Sequence, residues 1–310
     1  MTRILAYNIL VGGTNRVDQL TALIGSTHPD IVGLAEATNP QVVEEIAQRL
    51  GMQFRLSGQG KNRYDWQLAV LSRLPIIHTQ VHTRPDIFNR QYLLEVCVEE
   101  PGGRQLTVFV IHQISNFHRG LESMRKRRRE VQEILRIMAP HTGTPHLLMG
   151  DFNSVAPGDT FKGGKLLRYF LSRRRQLFPQ KPAQFAKTRD RRPPAIFRHP
   201  LFLKTLRMVA HSKILSPLLD IATIISGQGG IDLLLKAGYI DCFRHIHPHE
   251  SGFTFHSSAP SGRIDFIFAS PELAQYLLTC GVITEGNGVY GSESSDHLPV
   301  FAEFAETAQQ

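Results

Sequence analysis

Apolar residues in this chain repeat with two alternating periods. "RILAYNIL" (3–10) and "DIVGLAE" (30–36) are short, nearly continuous apolar runs that predict buried strands. Between them Val17, Leu20, Leu23 and Ile24 recur every three to four residues, which predicts a helix. Asn39 before Pro40 predicts the start of a second helix, "QVVEEIAQRLG", which Gly51 ends. The pattern then turns to successive strands: "QLAVLS" (67–72), "QYLLEVCVEE" (91–100) and "RQLTVFVIHQ" (104–113). Pro101-Gly102-Gly103 joins the last two as an antiparallel hairpin. A long helix follows over "RGLESMRKRRREVQEILRIMA" (119–139), where some of the run of cations read as a solvated face, and then the strand "HLLMGD" (146–151). The C-terminal part alternates again: helix "GIDLLLKAG", strand "RIDFIFAS", helix "PELAQYLL", then strands "CGVITEG" and "LPVFAEF". Such a mixture predicts two mixed or mostly antiparallel sheets packed face to face, with helices outside.

Residues from about 155 to 228 interrupt this order. Turn formers and charges fill "RRRQLFPQKPAQFAKTRDRRPPAIFRHP", flanked by the amphipathic pieces "KLLRYFLSRRR" and "PLFLKTLRMVAHSKILSPLL". Because the strand pattern resumes afterwards, the stretch reads as an insertion within a single domain spanning 1–310. Its charge is lopsided. Residues 162–213 hold fifteen Lys or Arg and one acid, a balance of +14 in a chain of net charge +8, which leaves −6 for the remainder. Such a segment favours an anionic partner. Nucleic acid is the favoured one, with an anionic membrane surface as the other candidate. Tyr169, Phe170, Phe178, Phe185 and Phe197 suit stacking on bases or insertion among headgroups.

The remaining composition narrows the picture modestly. With 310 residues, 42% of them hydrophobic, the chain can bury a large core. No apolar run reaches the roughly 18 residues that a membrane helix needs. The N-terminus carries no signal-peptide pattern, and Cys97, Cys242 and Cys280 are scattered without a CxxC. A cytoplasmic, monomeric protein is therefore expected, without a disulfide framework or zinc site.

Several strands end in side chains that can do chemistry. Asn8 closes the first strand and Glu36 the second; His112 ends "TVFVIH", while Asp151 and Asn153 follow "HLLMG". Asp265 lies in "RIDFIF", and Asp296-His297 opens the last strand. Singly, each has a plain structural explanation: Asp-x-Asn is a common turn composition, and a His at a strand edge is often structural. As an ordered set of strand ends they would converge on one rim. A site so rich in oxygen suits Mg²⁺ or Mn²⁺ better than zinc.

These pieces, in order, are "YN" (7–8), "GLAEA" (33–37), "AVLSRLPI" (69–76), "VIH" (110–112), "GDFNS" (150–154), "GFTF" with "RIDFIFAS", and "SDHLPV" (295–300). Together they resemble the endonuclease/exonuclease/phosphatase superfamily, over nearly the whole chain outside the insertion. That group includes DNase I-like nucleases, exonuclease III-type apurinic-site enzymes, sphingomyelinases and inositol-polyphosphate 5-phosphatases. The resemblance implies a four-layered α/β sandwich of the DNase I-like kind, two packed mixed β-sheets flanked by helices. It also implies a Mg²⁺- (or Mn²⁺-) dependent phosphoesterase that hydrolyses phosphodiester bonds with metal-activated water, nuclease-type activity being favoured. A sphingomyelinase-like or phosphatase-like activity on a lipid or small phosphorylated substrate is the alternative. Carried over by position, Glu36 would be the main metal carboxylate, with Asn8 and Asp296 helping. Asp151 and Asn153 would orient water and phosphate. His297, positioned by Asp265, would act as general base or bind the phosphate, and His112 would donate to its developing charge. The sequence leaves open whether Asp151 or His297 takes the proton from water. One departure concerns substrate. Where the apurinic-site branch carries a Gln-Glu-x-Lys pattern, this chain has Ala35-Glu36-Ala37-Thr38-Asn39. Neither a 5-phosphatase signature nor the paired cysteines of secreted DNase I relatives are found.

Overall fold

Strand alternation explains the layering. In the computed structural model, which describes residues 1–58, 67–84, 86–87, 93–115, 121–173 and 200–306, two six-stranded sheets face each other. The first runs β11 (Leu277–Val282), β14 (Val300–Phe304), β1 (Thr2–Asn8), β2 (Ile31–Ala35), β4 (Ala69–Ser72) and β3 (Gln53–Leu56). The second runs β5 (Ile76–His82), β6 (Leu93–Glu99), β7 (Gln105–His112), β8 (His146–Asp151), β10 (Asp265–Ala269) and β9 (Ile240–Asp241). A short hairpin, β12 (Glu285–Gly286) with β13 (Val289–Tyr290), stands apart. Both sheets are mixed: β1 is parallel to β2 and β7 to β8, and their other pairings are antiparallel.

Successive side chains of a strand point to opposite faces. In β1, Ile4 and Ala6 enter the core between the sheets, with Val108 and Val110 of β7 and Met149 of β8. Leu5 and Tyr7 point the other way, under α1 (Val17–Gly25) and α2 (Pro40–Leu50). Phe109 and Ile111 of β7 likewise meet Val131, Ile134 and Met138 of α3 (Leu121–Met138). The order helix, sheet, sheet, helix is thus the expected four-layered sandwich, and the central strands are apolar on both faces because both are covered.

α2 starts as predicted, with Pro40 in its first turn, and ends on Gly51 in the left-handed conformation (φ 64°). The Asn39 side chain, however, donates to Thr14 Oγ1 instead of capping the helix. Between β8 and β9 lie α4 (Gly163–Ser172), α5 (Pro200–His211), α6 (Leu215–Gly227) and α7 (Ile231–Lys236), so both amphipathic pieces of the basic segment are helical. The expectations for Gln91, Tyr92, Arg119, Gly120 and residues 174–199 lie outside the described residues.

One expectation needs correction. In "PELAQYLL" only Pro271–Ala274 is helical; Leu277 already pairs with Phe304, because joining the edge of the first sheet outweighs the local helical period. In α3 only some of the cations face solvent, since Arg127 is buried, as is the acid Glu130. Arg127 donates to Ser226 O of α6 (3.2 Å), and Glu130 accepts from Gln113 Nε2 (3.1 Å).

Candidate active site

Strand register builds half of the site. His112 lies opposite Asp151 in the parallel pair β7–β8, and Asp151 lies opposite Asp265 in the antiparallel pair β8–β10. Directly opposed residues share a face, so three adjacent strands set His112, Asp151 and Asp265 side by side. Counting back by twos reaches Val110, Met149 and Ile267, all in the inter-sheet core. The row is therefore a polar end to an apolar stripe. Gly150 makes the approach feasible: its φ is 134°, and a Cβ there would stand 2.0 Å from Ile111 O.

The first sheet contributes by a different route. Asn8 continues the inward parity of Ile4 and Ala6. Glu36 follows inward-facing Ala35, so simple alternation would turn it towards the outer helices. Its backbone instead takes φ 57°, which breaks the alternation, and the carboxylate returns to the rim. There Glu36 Oε2 accepts from Val11 N (2.6 Å) and Oε1 from Asn8 Nδ2 (3.4 Å). Asn153 is also left-handed (φ 47°). Its N–H donates to Asp151 Oδ1 (2.8 Å), and its amide is held by Gln113 O (2.9 Å). Backbone strain of this sort costs energy that only surrounding contacts can offset, and it clusters at functional sites.

Asp151 is where the two sheets meet. Its Oδ2 accepts from Asn8 Nδ2 at 2.9 Å and lies 3.5 Å from His112 Nε2 and 3.7 Å from His297 Nε2. His297, ahead of β14, turns Nδ1 to Asp265 (2.9 and 3.1 Å to its two oxygens), which leaves Nε2 facing Asp151. Burial pushes the Asp151 carboxyl up to about 6, against the pull of the nearby imidazoles. Burial pulls His297 down, yet Asp265 and Asp151 outweigh it and hold the imidazole well above its ordinary range. Burial draws His112 the other way, towards the neutral form.

Two groups of ligands could hold a cation. Asp151, Asp265 and His297 are all buried and offer ligand atoms within 4.8 Å of one another. Asp265 and the His297 Nδ1 are already bonded together, however, so that trio is largely self-satisfied. The set of Glu36, Asp296 and Asn8 fits better. Burial and then repulsion from Asp296 push the Glu36 carboxyl up, and the hydrogen bonds it accepts come from an amide and a backbone N–H. Among the described residues no cationic side chain lies within ion-pair distance of Glu36 or Asp296. Two adjacent acids with oxygen donors and no cation match a hard divalent ion. Asn8 as placed donates to Glu36 and Asp151, while its Oδ1 accepts from Leu10 N (3.0 Å). Offering that oxygen to a metal would require the amide to turn over.

Every residue expected from the sequence thus lies at this rim, and several unassigned ones hold it in place. Thr254 Oγ1 accepts from the N–H groups of Ile264 and Asp265 (3.1 and 3.2 Å), fixing the start of β10. Ser295 donates to Asn8 O (2.7 Å) and accepts from His297 N (3.2 Å), tying the two ends of the chain together. Arg16 donates to the carbonyls of Ile9, Leu10 and Ser294, and Phe255 packs its ring 5.0 Å from that of His297. Thr254 and Ser295 fall inside the "GFTF" and "SDHLPV" motifs. Gln113 and Arg16 carried no sequence signal, because the groups they bond, carbonyls for Arg16 and Glu130, Arg127 O and the Asn153 amide for Gln113, are brought near only by the fold.

Known structures share this architecture. An AP endonuclease from Archaeoglobus fulgidus matches with TM-score 0.63 and 17% identity over 99% of this chain and 100% of that one. The 3'-5' exonuclease NExo from Neisseria meningitidis matches with TM-score 0.60 and 21% identity over 98% and 100%. D. rerio TDP2 complexed with single strand DNA product matches with TM-score 0.58 and 14% identity over 98% and 99%. At such identities the likeness concerns the fold. No curated protein matches by sequence. The profile of the Endonuclease/Exonuclease/phosphatase family matches residues 5–297, from β1 through the His297 that completes the rim, and the chain belongs to that family.

Proposed function

We propose that this protein hydrolyses phosphodiester bonds, with Asp151 as the base that takes the proton from the attacking water. The observation that carries the proposal is the environment of Asp151 Oδ2, faced by Asn8 Nδ2, His112 Nε2 and His297 Nε2 at 2.9, 3.5 and 3.7 Å. A base needs to be ionised and within hydrogen-bond reach of its proton. The carboxyl at about 6 meets the first condition at neutral pH. His297 does not, because its neighbours keep it protonated. It suits the opposite task, presenting positive charge from Nε2 to a phosphate oxygen that gains negative charge. His112 donates to the same region, and Asp265 fixes the tautomer of His297. A divalent cation held by Glu36, Asp296 and Asn8 would supply further neutralisation of phosphate charge.

Nucleic acid is the first substrate class. The basic segment between β8 and β9 would track phosphates, and similar folds have been seen with a product DNA hairpin and with single strand DNA. The alternative is a phospholipid headgroup, favoured by exposed aliphatic residues on α5 and α6.

The test offers plasmid DNA, RNA, an abasic oligonucleotide, bis-(p-nitrophenyl) phosphate, p-nitrophenyl phosphate and anionic liposomes to the full chain, with Mg²⁺, Mn²⁺ or EDTA. Hydrolysis of the diesters that EDTA stops and Asp151→Asn abolishes is expected. Hydrolysis of none of them, or equal rates in the variant, would overturn the proposal. Activity on lipid alone would make the alternative the function.

A further inference from the structure

α6 turns one of its apolar stripes outward. Ile214, Leu218, Ile221 and Ile225 follow at intervals of four, three and four residues, which aligns them in one stripe along the helix. Each is more than half exposed. The opposite side is the side that packs, and it carries small and polar residues together with Ile224, which rests on the cluster of Val155, Phe161 and Leu166. Ser216 and Gly227 are buried, Asp220 accepts from Gly164 N of α4 (2.7 Å), and Thr223 fits against Gly163. On α5, Leu201 and Met208 stand two turns apart on one face, also more than half exposed. A helix that lies against a core in water buries its aliphatic stripe. This pair buries Leu203, Ala210 and, in part, Ile224, and still keeps a second aliphatic stripe in the open.

The charge around the stripes selects the partner. Lys204, Arg207 and Lys213 are exposed beside them. From Arg191 to Gly227 the one acid is Asp220, which is engaged with α4. Aliphatic residues flanked by cations, without acids, are the signature of a helix lying in the interface of an anionic bilayer. Nucleic acid would call for aromatic or polar contacts between the cations, and the stripes offer Leu, Ile and Met. A second copy of the chain would bring a like-charged surface against this one. Among the described residues no single helix is long and apolar enough to cross a membrane, and the two helices are bent by 92° at their junction.

We propose that α5 and α6 form a docking surface for an anionic phospholipid bilayer, with the aliphatic stripes at the boundary of headgroups and acyl chains. The surface is joined to the catalytic rim. Tyr169 and Phe170 of α4, which packs on both helices, place their rings 4.7 and 5.9 Å from His256, the residue between Phe255 and Ser257 at the rim. Gly227 O accepts from Val155 N (2.9 Å), just beyond "GDFNS". The inference goes beyond the hydrolytic function, because binding to a bilayer does not depend on Asp151.

The experiment is vesicle flotation with the full chain, using phosphatidylcholine vesicles with and without phosphatidylglycerol. Two variants accompany it, the triple Ile214→Ser, Leu218→Ser, Ile225→Ser and the double Lys204→Gln, Lys213→Gln. The wild type should float with the anionic vesicles. The triple variant should partition at least about tenfold less, from the lost aliphatic burial. The double variant should lose the preference for phosphatidylglycerol. A wild type that stays in the aqueous phase with both vesicles overturns the proposal. So does a wild-type dimer that the triple variant dissociates, or a triple variant that loses oligonucleotide binding while vesicles bind neither protein. Turnover of bis-(p-nitrophenyl) phosphate by the same samples separates the two ideas. Equal turnover in wild type and triple variant shows an intact rim, and no turnover in the wild type counts against the hydrolytic function alone.

Discussion

The two sheets reach the same rim by unlike means. The second sheet supplies His112, Asp151 and Asp265 from three neighbouring strands whose pairing fixes their spacing. The first supplies Glu36 from beyond the end of a strand, through a left-handed residue held by a loop N–H. Registered strands cannot slide without flipping their side chains to the other face, so they suit groups that must keep a proton-transfer distance. A carboxylate on a loop can adjust to the coordination shell of a cation. The comparison suggests a division of labour, with proton chemistry on the second sheet and metal holding on the first.

The largest test of that division is Asp151→Asn. Its turnover should fall on the order of a thousandfold with little change in Mn²⁺ affinity by calorimetry. A large loss of affinity would instead make Asp151 a metal ligand. In the wild type, activity should decline as pH drops through about 6, since the base is lost on protonation. A rate flat to pH 4 would contradict this.

Asp265→Asn comes next, with a loss of about a hundredfold, because Nδ1 of His297 loses the carboxylate that orients and charges it. The alkaline limb of the pH profile should move down with it. An unchanged limb would mean that His297 is charged by something else. Glu36→Gln should raise the Mg²⁺ concentration for half-maximal activity at least about tenfold, and excess metal should restore much of the rate. Failure of rescue would place Glu36 with the proton chemistry and end the comparison.

Glu130→Gln is the smallest and concerns support behind the second sheet. Burial pushes Glu130 from 4.5 up to about 8. Between those values the folded protein keeps a proton that the unfolded chain releases, so stability falls as pH rises through that window. The variant keeps an acceptor for Gln113 and removes the titration. Urea unfolding should find it more stable by roughly 1–3 kcal/mol at pH 8, with the difference shrinking towards pH 5. A larger gap at pH 5 than at pH 8 would overturn the account.

Much of this was legible in the chain itself. β1, β2, β7, β8 and β10 announce themselves because burial on both faces makes them near-continuous apolar runs, and the polar residues at their ends stand out against that background. β3 and β5 escaped notice. Both are edge strands with partly exposed, polar-rich sequences, "QFRL" and "IIHTQVH", that local pattern does not separate from loop. The residues that meet at the rim were legible, but the orientation of His297 and the proposed choice of Asp151 as base depend on a 2.9 Å contact and on burial, which no spacing encodes. The outward turn of α6 was hidden for a similar reason: its sequence shows an apolar stripe, and only its packing on α4 shows which side faces water.

Gly33 sits at the middle of β2, facing the second sheet. A Cβ there would stand 2.4 Å from the Met149 tip and 3.0 Å from a methyl of Val110. The flexible methionine could swing aside, but the branched valine could not. The clearance between the two halves of the rim is thus machined at a point remote from any reacting group, three residues before Glu36 and opposite the strand that carries Asp151. A side chain at this position would act as a shim, widening the fit by a fraction of an ångström, and the bond it would open first is the 2.9 Å contact between Asn8 and Asp151.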